Sequence, residues 1–199
     1  MSKSIVYISA NTEPENIARL CRKNLMRVNM SCISVSQEPL SFGHNICIGR
    51  IGQAEMHIFM QMYIGCMNTL ADTIYWCEAD TLYPPEHFSF EPENPHAIYF
   101  NDNIWRWYKG HYVKKRKPSA CSIVARREHL IKTLEYILFT RGSSNKDWKI
   151  RFNQQIFTTH QPIINIYHSN GTHKRLSATV GKLKHNIPYW PKASALLKG

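Results

Sequence analysis

The chain has 199 residues, of which 43% are hydrophobic and 20% charged, which is enough apolar material for one packed domain. Aromatic residues make up 12% of the sequence, with only 9 Gly and 10 Pro, and this composition excludes a disordered, collagen-like or low-complexity chain. No window approaches the roughly 18 consecutive apolar residues of a membrane span, and the first apolar run, 5–8, is too short for a signal peptide. We therefore expect one soluble domain in the cytoplasm.

The cysteines indicate a reducing compartment. None of the six belongs to a Cys-x-x-Cys pair, and four lie inside apolar runs. This pattern favours buried thiols over a disulfide framework or a zinc site. The positions are Cys21, Cys32, Cys47, Cys66, Cys77 and Cys121.

The positive charge is concentrated in the second half of the chain. The formal net charge is +11, but residues 1–100 carry 6 Lys and Arg against 10 Asp and Glu, whereas residues 101–199 carry 19 against 4. The two halves therefore have net charges of −4 and +15. Such an uneven field attracts polyanions or anionic surfaces from a distance and contributes little to the fold.

Strand-like and helix-like segments alternate along the chain. β-branched and aromatic runs predict strands at 5–9, 32–36, 74–77, 97–100, 104–108 and 122–125. Apolar residues at helical spacing predict helices over 17–28, 52–71 and 127–139, the first preceded by a capping box of Thr12 and Glu15. A long loop is predicted over 37–49. The alternation predicts an α/β fold with a largely parallel sheet whose ligands lie at the carboxyl ends of the strands.

Two acids follow the most apolar strand. Glu78 and Asp80 are two residues apart, so in a strand both carboxylates point to the same side where the chain leaves the core. Paired acids repel one another unless they are solvated or bridged by a cation, and Mg²⁺ or Mn²⁺ accepts oxygen ligands of this kind. The alternative is that both are surface acids at the start of a loop.

The order of these elements resembles the nucleotide-sugar-binding half of glycosyltransferases of the GT-A fold. The resemblance rests on the first strand with residues 9–12, the helix, second strand and long loop to Arg50, and the strand ending in Glu-Ala-Asp-Thr-Leu-Tyr-Pro, 78–84. It implies a Rossmann-related α/β fold, with a mixed, mostly parallel central sheet flanked by helices in one domain, 1–199. Residues 1–100 would bind donor and metal, and residues 101–199 would bind the acceptor.

The resemblance also implies a divalent metal, Mn²⁺ or Mg²⁺, that bridges the diphosphate of a nucleotide-sugar donor such as a UDP-sugar. Asp80 would be the main ligand, and Glu78 would contact the ribose or a metal-bound water; the superfamily's motif is Asp-x-Asp, so Glu78 is a departure from it. His168 would supply a further ligand, with His173 as the competing candidate. A lone His at a strand end is otherwise a hydrogen-bonded structural residue.

The loops after the first two strands would hold the donor. Ser9, Asn11 and Gln37 are the candidates for the nucleoside, and Arg50 for the diphosphate or sugar. Residues 9–12 also fit an ordinary helix start, and Arg50 also fits a solvated loop charge.

An inverting enzyme further needs a carboxylate that takes the proton of the acceptor hydroxyl. Asp147 opens the pattern 148–157 near the place where the family carries its base at a helix start. The alternative is that Asp147 only caps a helix. A retaining mechanism would need no such base, and the sequence leaves both mechanisms open.

The segment 105–117 interleaves aromatic and cationic residues, which suits phosphate neutralisation and base stacking. The alternative is a solvated basic hairpin beside core tryptophans. The candidate acceptor contacts are Trp105, Trp107, Lys114, Lys115, Arg116, Lys117 and, on the following strand and helix, Arg127.

These residues suggest DNA as the acceptor, specifically a hydroxylated base such as a 5-hydroxymethylpyrimidine, which compact phage-type glycosyltransferases modify. Such an enzyme would act in the host cytoplasm. Two alternatives stay open: a glycosyltransferase for a lipid-linked or surface glycan, and a non-catalytic nucleic-acid-binding α/β protein. The segment 187–191 is expected to be a terminal lid or anchor.

Overall fold

A computed structural model describes residues 1–140, 153–168 and 179–198. In these ranges the chain forms two β-sheets and three α-helices. The strands are β1 (Lys3–Ser9), β2 (Ser31–Ser36), β3 (His44–Cys47), β4 (Thr73–Glu78), β5 (Thr81–Leu82), β6 (Ile98–Asn101), β7 (Ile104–Tyr108), β8 (His111–Lys115), β9 (Ile123–Arg126), β10 (Gln154–Phe157), β11 (Ile163–Ile166) and β12 (Thr179–Lys184). The α-helices are α1 (Glu15–Met26), α2 (Glu55–Met67) and α3 (Arg127–Glu135).

The large sheet has seven strands in the order β10-β6-β9-β4-β1-β2-β3. Strands β4, β1, β2 and β3 run parallel. Of the described strands in this sheet, only β9 runs antiparallel to its neighbours. This agrees with the predicted mixed, mostly parallel sheet. Strands β9 and β10, from the second half of the chain, complete the large sheet.

Strand β4 is buried on both faces, as its continuous apolar run predicted. Alternate side chains enter different clusters: Ile74 and Trp76 pack with α2 and α3 on one side, and Tyr75 and Cys77 pack with aromatic residues on the other. All six cysteines are free thiols, and four of them are buried. The strand therefore holds the centre of the core and delivers its last residue, Glu78, to the edge.

The small sheet has five strands in the order β12-β8-β7-β11-β5. Strands β7 and β8 form a hairpin whose turn residues, Lys109 and Gly110, both have positive φ, 46° and 75°. The sequence predicted β7 but neither β8, which pairs with β7, nor β12, which pairs with β8, because both strands are rich in lysine. None of the helices in the described ranges combines the length and the apolar character that crossing a bilayer requires.

The hairpin's tryptophans face away from the acids. Trp105 and Trp107 pack in a cluster with α1 and the C-terminal residues 187–197. The indole N–H of Trp107 donates to the carbonyl of Ala193 at 2.7 Å, and the Tyr112 hydroxyl donates to that of Pro191 at 2.8 Å. The predicted lid, 187–191, therefore anchors the outer face of the small sheet.

Several predicted element boundaries were wrong. Helix α1 begins at Glu15 with Pro14 at the N-cap position and no side-chain cap, so the predicted capping box of Thr12 and Glu15 does not form. Helix α2 ends at Met67, which leaves Leu70 93% exposed.

Two segments form strands where the sequence predicted a loop and a helix-like pattern. Residues 44–47 pair with β2, and residues 154–157 pair with β6. In both cases pairing with a distant strand overrides the local pattern.

Gly65 sets the distance between α2 and the large sheet. A Cβ at this position would overlap Val6 Cγ1. We expect Gly65→Ala to lower the free energy of unfolding by about 1–3 kcal/mol, because the added methyl group overpacks the helix against β1. Urea denaturation measures the effect, with Met60→Ala, at a 41% exposed position of the same helix, as the control. Equal losses for the two variants would contradict the tight packing at Gly65.

Candidate active site

Strand ends from both sheets meet at one edge. Ser9 ends β1 and Glu78 ends β4, while His168 follows β11 of the small sheet. A tight turn at 79–80 leads from β4 directly into β5, which pairs with β11. The amide of Ile166 also donates to the carbonyl of Asp80 at 2.7 Å. The turn therefore joins the two sheets and brings Asp80 beside His168.

Asp80 is held by three neighbours. Its Oδ1 accepts hydrogen bonds from the Thr81 hydroxyl and from the Asn165 amide, each at 3.0 Å. Its Oδ2 lies 3.7 Å from His168 Nε2. The neighbouring carboxylate of Asp80 raises the pKa of His168, which favours the imidazolium form.

Three carboxylates share this edge. Burial, together with the nearby charge of Asp80, raises the pKa of Glu78 to about 8. Burial also raises the pKa of Glu13, which follows β1 and whose Oε2 accepts a hydrogen bond from the Ser9 hydroxyl at 3.0 Å. Glu13 was not among the residues predicted from the sequence, although its position after a parallel strand was the available signal. The clustered acids favour protonation or a bound cation.

Two cavities open on either side of the acids. The smaller, about 90 Å³, is lined by residues of the β1 loop, including Ser9 and Glu13. The larger, about 590 Å³, lies between the large sheet and the hairpin of the small sheet. Glu78, Asp80 and His168 line both cavities. The three residues predicted to hold a metal are therefore brought together at the junction of two binding spaces.

The predicted donor residues divide into two groups. Ser9 lines the small cavity, but Asn11 and Gln37 use their side chains to tie loops together. Asn11 Oδ1 accepts from the amides of Gln37 and Glu38, both at 2.9 Å. Gln37 Oε1 accepts from the amides of residues 51 and 52 at 2.9 and 3.0 Å, and its amide donates to the carbonyl of residue 52. These two residues shape the entrance of the small cavity without lining it.

Arg50 lies apart from the acids. Its side chain is 84% exposed and pairs with Glu38 at 2.5 Å, and the described walls of the two cavities do not include it. The predicted contact between Arg50 and the diphosphate or sugar therefore has no geometric support in this arrangement.

The predicted acceptor residues are separated by the strand alternation. Lys115 and Lys117 line the large cavity. Trp105, Trp107 and Lys114 belong to the other face of the sheet, where Lys114 donates to Asn103 and Lys184 lies 5.1 Å from the Trp105 ring centroid. The side chain of Arg116 is exposed.

Arg127 lies at the opposite end of the large sheet. Strand β9 runs antiparallel to β4, so its last residue, Arg126, pairs with Thr73 at the start of β4. The acids follow the other end of that strand. The resemblance had placed Arg127 on the acceptor side, and the antiparallel direction of β9 explains why it lies far from Asp80. Asp147 and His173 lie outside the described residues.

Arg106 and Asn165 also line the large cavity and were not among the residues predicted from the sequence. Arg106 stands between Trp105 and Trp107, so the period of two was the signal that it faces the other way. Asn165 pairs with Arg106 across β11 and β7 and also holds Asp80.

The side chains of Glu78, Asp80 and His168 suit a hard divalent cation. Two carboxylates and an imidazole are ligands that Mn²⁺ accepts, and His168 Nδ1 is buried with no partner among the described residues. Within residues 1–140, 153–168 and 179–198, however, no three His, Cys, Asp or Glu side chains form a ready-made metal cluster. Oxygen atoms from a ligand would have to complete the coordination.

No family model matches the sequence, and no curated protein matches it. Several solved structures, however, have a similar fold. The inositol-1-phosphate CTP transferase from T. maritima is 9% identical, with a TM-score of 0.51 over 86% of this chain and 90% of that one. A glycosyltransferase involved in the glycosylation of the major capsid of PBCV-1 is 7% identical, with a TM-score of 0.50 over 83% and 93%.

A third match is S. aureus TarS 1–349 in complex with UDP-GlcNAc. It is 7% identical, with a TM-score of 0.55 over 84% of this chain and 59% of that one. Likeness at such low identity shows the fold alone. The chain is a single α/β domain with mixed sheets flanked by helices, of the type shared by GT-A glycosyltransferases and nucleotidyltransferases, which confirms the expected fold class.

The raised pKa of Glu78 predicts that the metal-free protein loses stability as the pH rises. The unfolded carboxyl ionises near pH 4.5 and the folded one near 8, so the stabilisation is complete below 4.5 and is lost as the pH rises through 8. We expect Glu78→Gln to remove this loss, so that its melting temperature exceeds that of the wild type increasingly from pH 5 to 9. Thermal melts with a chelator measure the difference, and Glu93→Gln is the exposed control. Parallel curves would contradict the prediction.

The contacts of Gln37 and Arg50, two of the residues predicted to bind the nucleotide sugar, predict different losses of stability when each is replaced by alanine. Gln37→Ala leaves the amides of residues 51 and 52 without their acceptor and is expected to cost about 1–3 kcal/mol. Arg50→Ala removes an exposed ion pair and is expected to cost at most about 1 kcal/mol. Urea denaturation of the two variants measures the free energies of unfolding, and a larger loss for Arg50→Ala would rule out this division.

Proposed function

We propose that the protein is a metal-dependent transferase that uses a nucleotide-sugar donor, such as a UDP-sugar, and passes the sugar to a hydroxyl group. One observation carries the proposal: Glu78, Asp80 and His168 meet at the carboxyl edge of the large sheet, at the junction of two cavities. Ligands of open α/β sheets bind at this edge. The likeness to structures of glycosyltransferases supports the same class.

The acids and the imidazole would hold Mn²⁺ or Mg²⁺. When bound, the ion would neutralise the negative charge of the diphosphate and of the leaving nucleotide. The clustering of Glu13, Glu78 and Asp80 supports this role, because buried carboxylates at this density need a positive partner. Asn165 and Thr81 orient Asp80 by hydrogen bonds. Such supporting contacts fix a ligand's direction.

The two cavities suit different parts of the two substrates. The small cavity beside Ser9 would receive the nucleoside, and its loops are held by Asn11 and Gln37. The large cavity, at about 590 Å³, lies within the range of about 300–1,000 Å³ that small-molecule sites occupy. It would receive the sugar and the acceptor.

In the transfer, the acceptor oxygen forms a bond to the anomeric carbon while the bond from that carbon to the diphosphate oxygen breaks. The acceptor proton passes to a base in an inverting reaction, and the nucleoside diphosphate leaves with the electron pair of the broken bond. Asp147 stays the prediction for this base. Among the described carboxylates, Glu55 at the start of α2 also lines the large cavity and is a second candidate.

Hydroxymethylated DNA is the acceptor that the basic half of the chain suggests. The exposed Arg116 and Lys117 near the large cavity support contact with phosphates. Trp105 and Trp107 do not support base stacking, because the C-terminal segment and Lys184 cover their face of the sheet. Glycans are the alternative acceptor.

Nucleotidyl transfer is the second candidate reaction. The T. maritima inositol-1-phosphate CTP transferase is matched over 90% of its length. In that reaction a phosphate oxygen of the acceptor attacks the α-phosphorus of a nucleoside triphosphate, and pyrophosphate leaves. The two reactions therefore differ in the released product.

A thermal-shift titration with UDP-sugars and Mn²⁺ tests the proposal. We expect a rise of several degrees at ligand concentrations about 100 times the dissociation constant, because the ligand binds only the folded state. Asp80→Asn should weaken donor binding by on the order of 100-fold, since it removes a carboxylate from the junction. Glu93→Gln, an exposed acid elsewhere, should leave donor binding unchanged.

Product analysis then separates the reactions. Release of UDP from a UDP-sugar supports glycosyl transfer, and release of pyrophosphate from a nucleoside triphosphate with a sugar phosphate supports nucleotidyl transfer. Parallel assays with hydroxymethylated duplex DNA and with glycans decide the acceptor. Metal-independent DNA binding that persists in Asp80→Asn, without turnover of any nucleotide, would instead identify a binding protein.

A further inference from the structure

The cavity-facing side of the small sheet carries buried cations. Arg106 on β7 lies opposite Val113 on β8 and beside Asn165 on β11. Lys115 is two residues beyond Val113, so it shares the same face of the sheet. Arg106, Lys115 and Asn165 all line the large cavity. This face therefore presents two cations and an amide to one space.

Both cations are removed from solvent. Arg106 is 2% exposed, and Lys115 is 8% exposed. The ammonium group of Lys115 donates to the hydroxyl of Ser119 at 2.9 Å, and no carboxylate among the described residues lies within 4.0 Å of it. Burial of an ammonium group beside a neutral partner is costly, and an anion in the cavity would offset that cost.

The two cations lie outside the small cavity that the acids also line. The acids sit at the edge shared by both cavities, whereas Lys115, Lys117 and Ser119 line only the large one. The wall formed by Arg106 and Lys115, the cationic wall, thus belongs to the large cavity, which would receive the acceptor.

We propose that Arg106 and Lys115 form an anion subsite that binds a phosphate group of the acceptor, so that the second substrate carries phosphate. The assignment of the phosphate to the acceptor rests on the proposed function. Arg106 offers a planar fork of donors that matches phosphate oxygens, and Lys115 adds a point charge. The same chemistry could be supplied by the donor's diphosphate, and the experiment separates these two sources.

The experiment titrates the full chain with inorganic phosphate, with and without saturating UDP and Mn²⁺, by calorimetry at pH 7.5. We expect phosphate to bind in both conditions, because the subsite is separate from the donor. Lys115→Gln keeps a donor toward Ser119 and removes only the charge, and it should weaken phosphate binding about tenfold or more while UDP binding stays unchanged. Lys115→Arg should restore it, and Lys182→Gln, an exposed cation of the same sheet, should have no effect. Arg106→Gln is the second variant should Lys115→Gln fail to fold.

Three results would overturn the proposal. The first is the absence of phosphate binding, and the second is phosphate binding that the charge-removing variants leave unchanged. The third is phosphate binding that saturating UDP abolishes, with weaker UDP binding in Lys115→Gln, which would assign the cations to the donor's diphosphate. If UDP does not bind at all but phosphate binding still depends on Lys115, the anion subsite stands and the proposed donor is wrong.

Discussion

The repulsion among Glu13, Glu78 and Asp80 is the constraint on which the site depends. Strands β1 and β4 end at the same edge, and the turn after β4 adds Asp80 to the same small volume. Solvation relieves this repulsion only in part, because burial is the largest cause of the raised pKa of Glu78 and of Glu13. A proton or a cation must therefore accompany the acids, and this requirement links the electrostatics of the edge to the proposed chemistry.

The centre of the large sheet could be predicted from the sequence because its signals are local, whereas its two outer strands, β3 and β10, could not. The apolar run of β4 and the alternation of strands with amphipathic helices indicate a parallel, doubly covered sheet without knowledge of distant pairs. The small sheet could not be predicted in the same way. Strand β8 ends in consecutive lysines, and β12 alternates lysines with other residues, so only their pairing with β7 and with each other makes them strands.

The site was predictable to the extent that strand ends mark it. Glu78, Asp80 and His168 each follow an apolar strand, and the structure brings all three together. Asn11 and Gln37 also follow strands, but their amides satisfy backbone groups of neighbouring loops, which no local pattern reveals. Arg106 was overlooked because the flanking tryptophans suggested one aromatic surface, whereas the strand directs neighbours to opposite faces.

The C-terminal segment covers one face of the small sheet, and the other face carries Arg106 and Lys115. Trp107 and Tyr112 donate hydrogen bonds to the carbonyls of Ala193 and Pro191. The indole N–H of Trp190 donates to the carbonyl of Pro162 at 2.6 Å. Trp107 directly follows Arg106 in β7. The C-terminal segment therefore supports the face of the small sheet opposite to the one that carries Arg106 and Lys115.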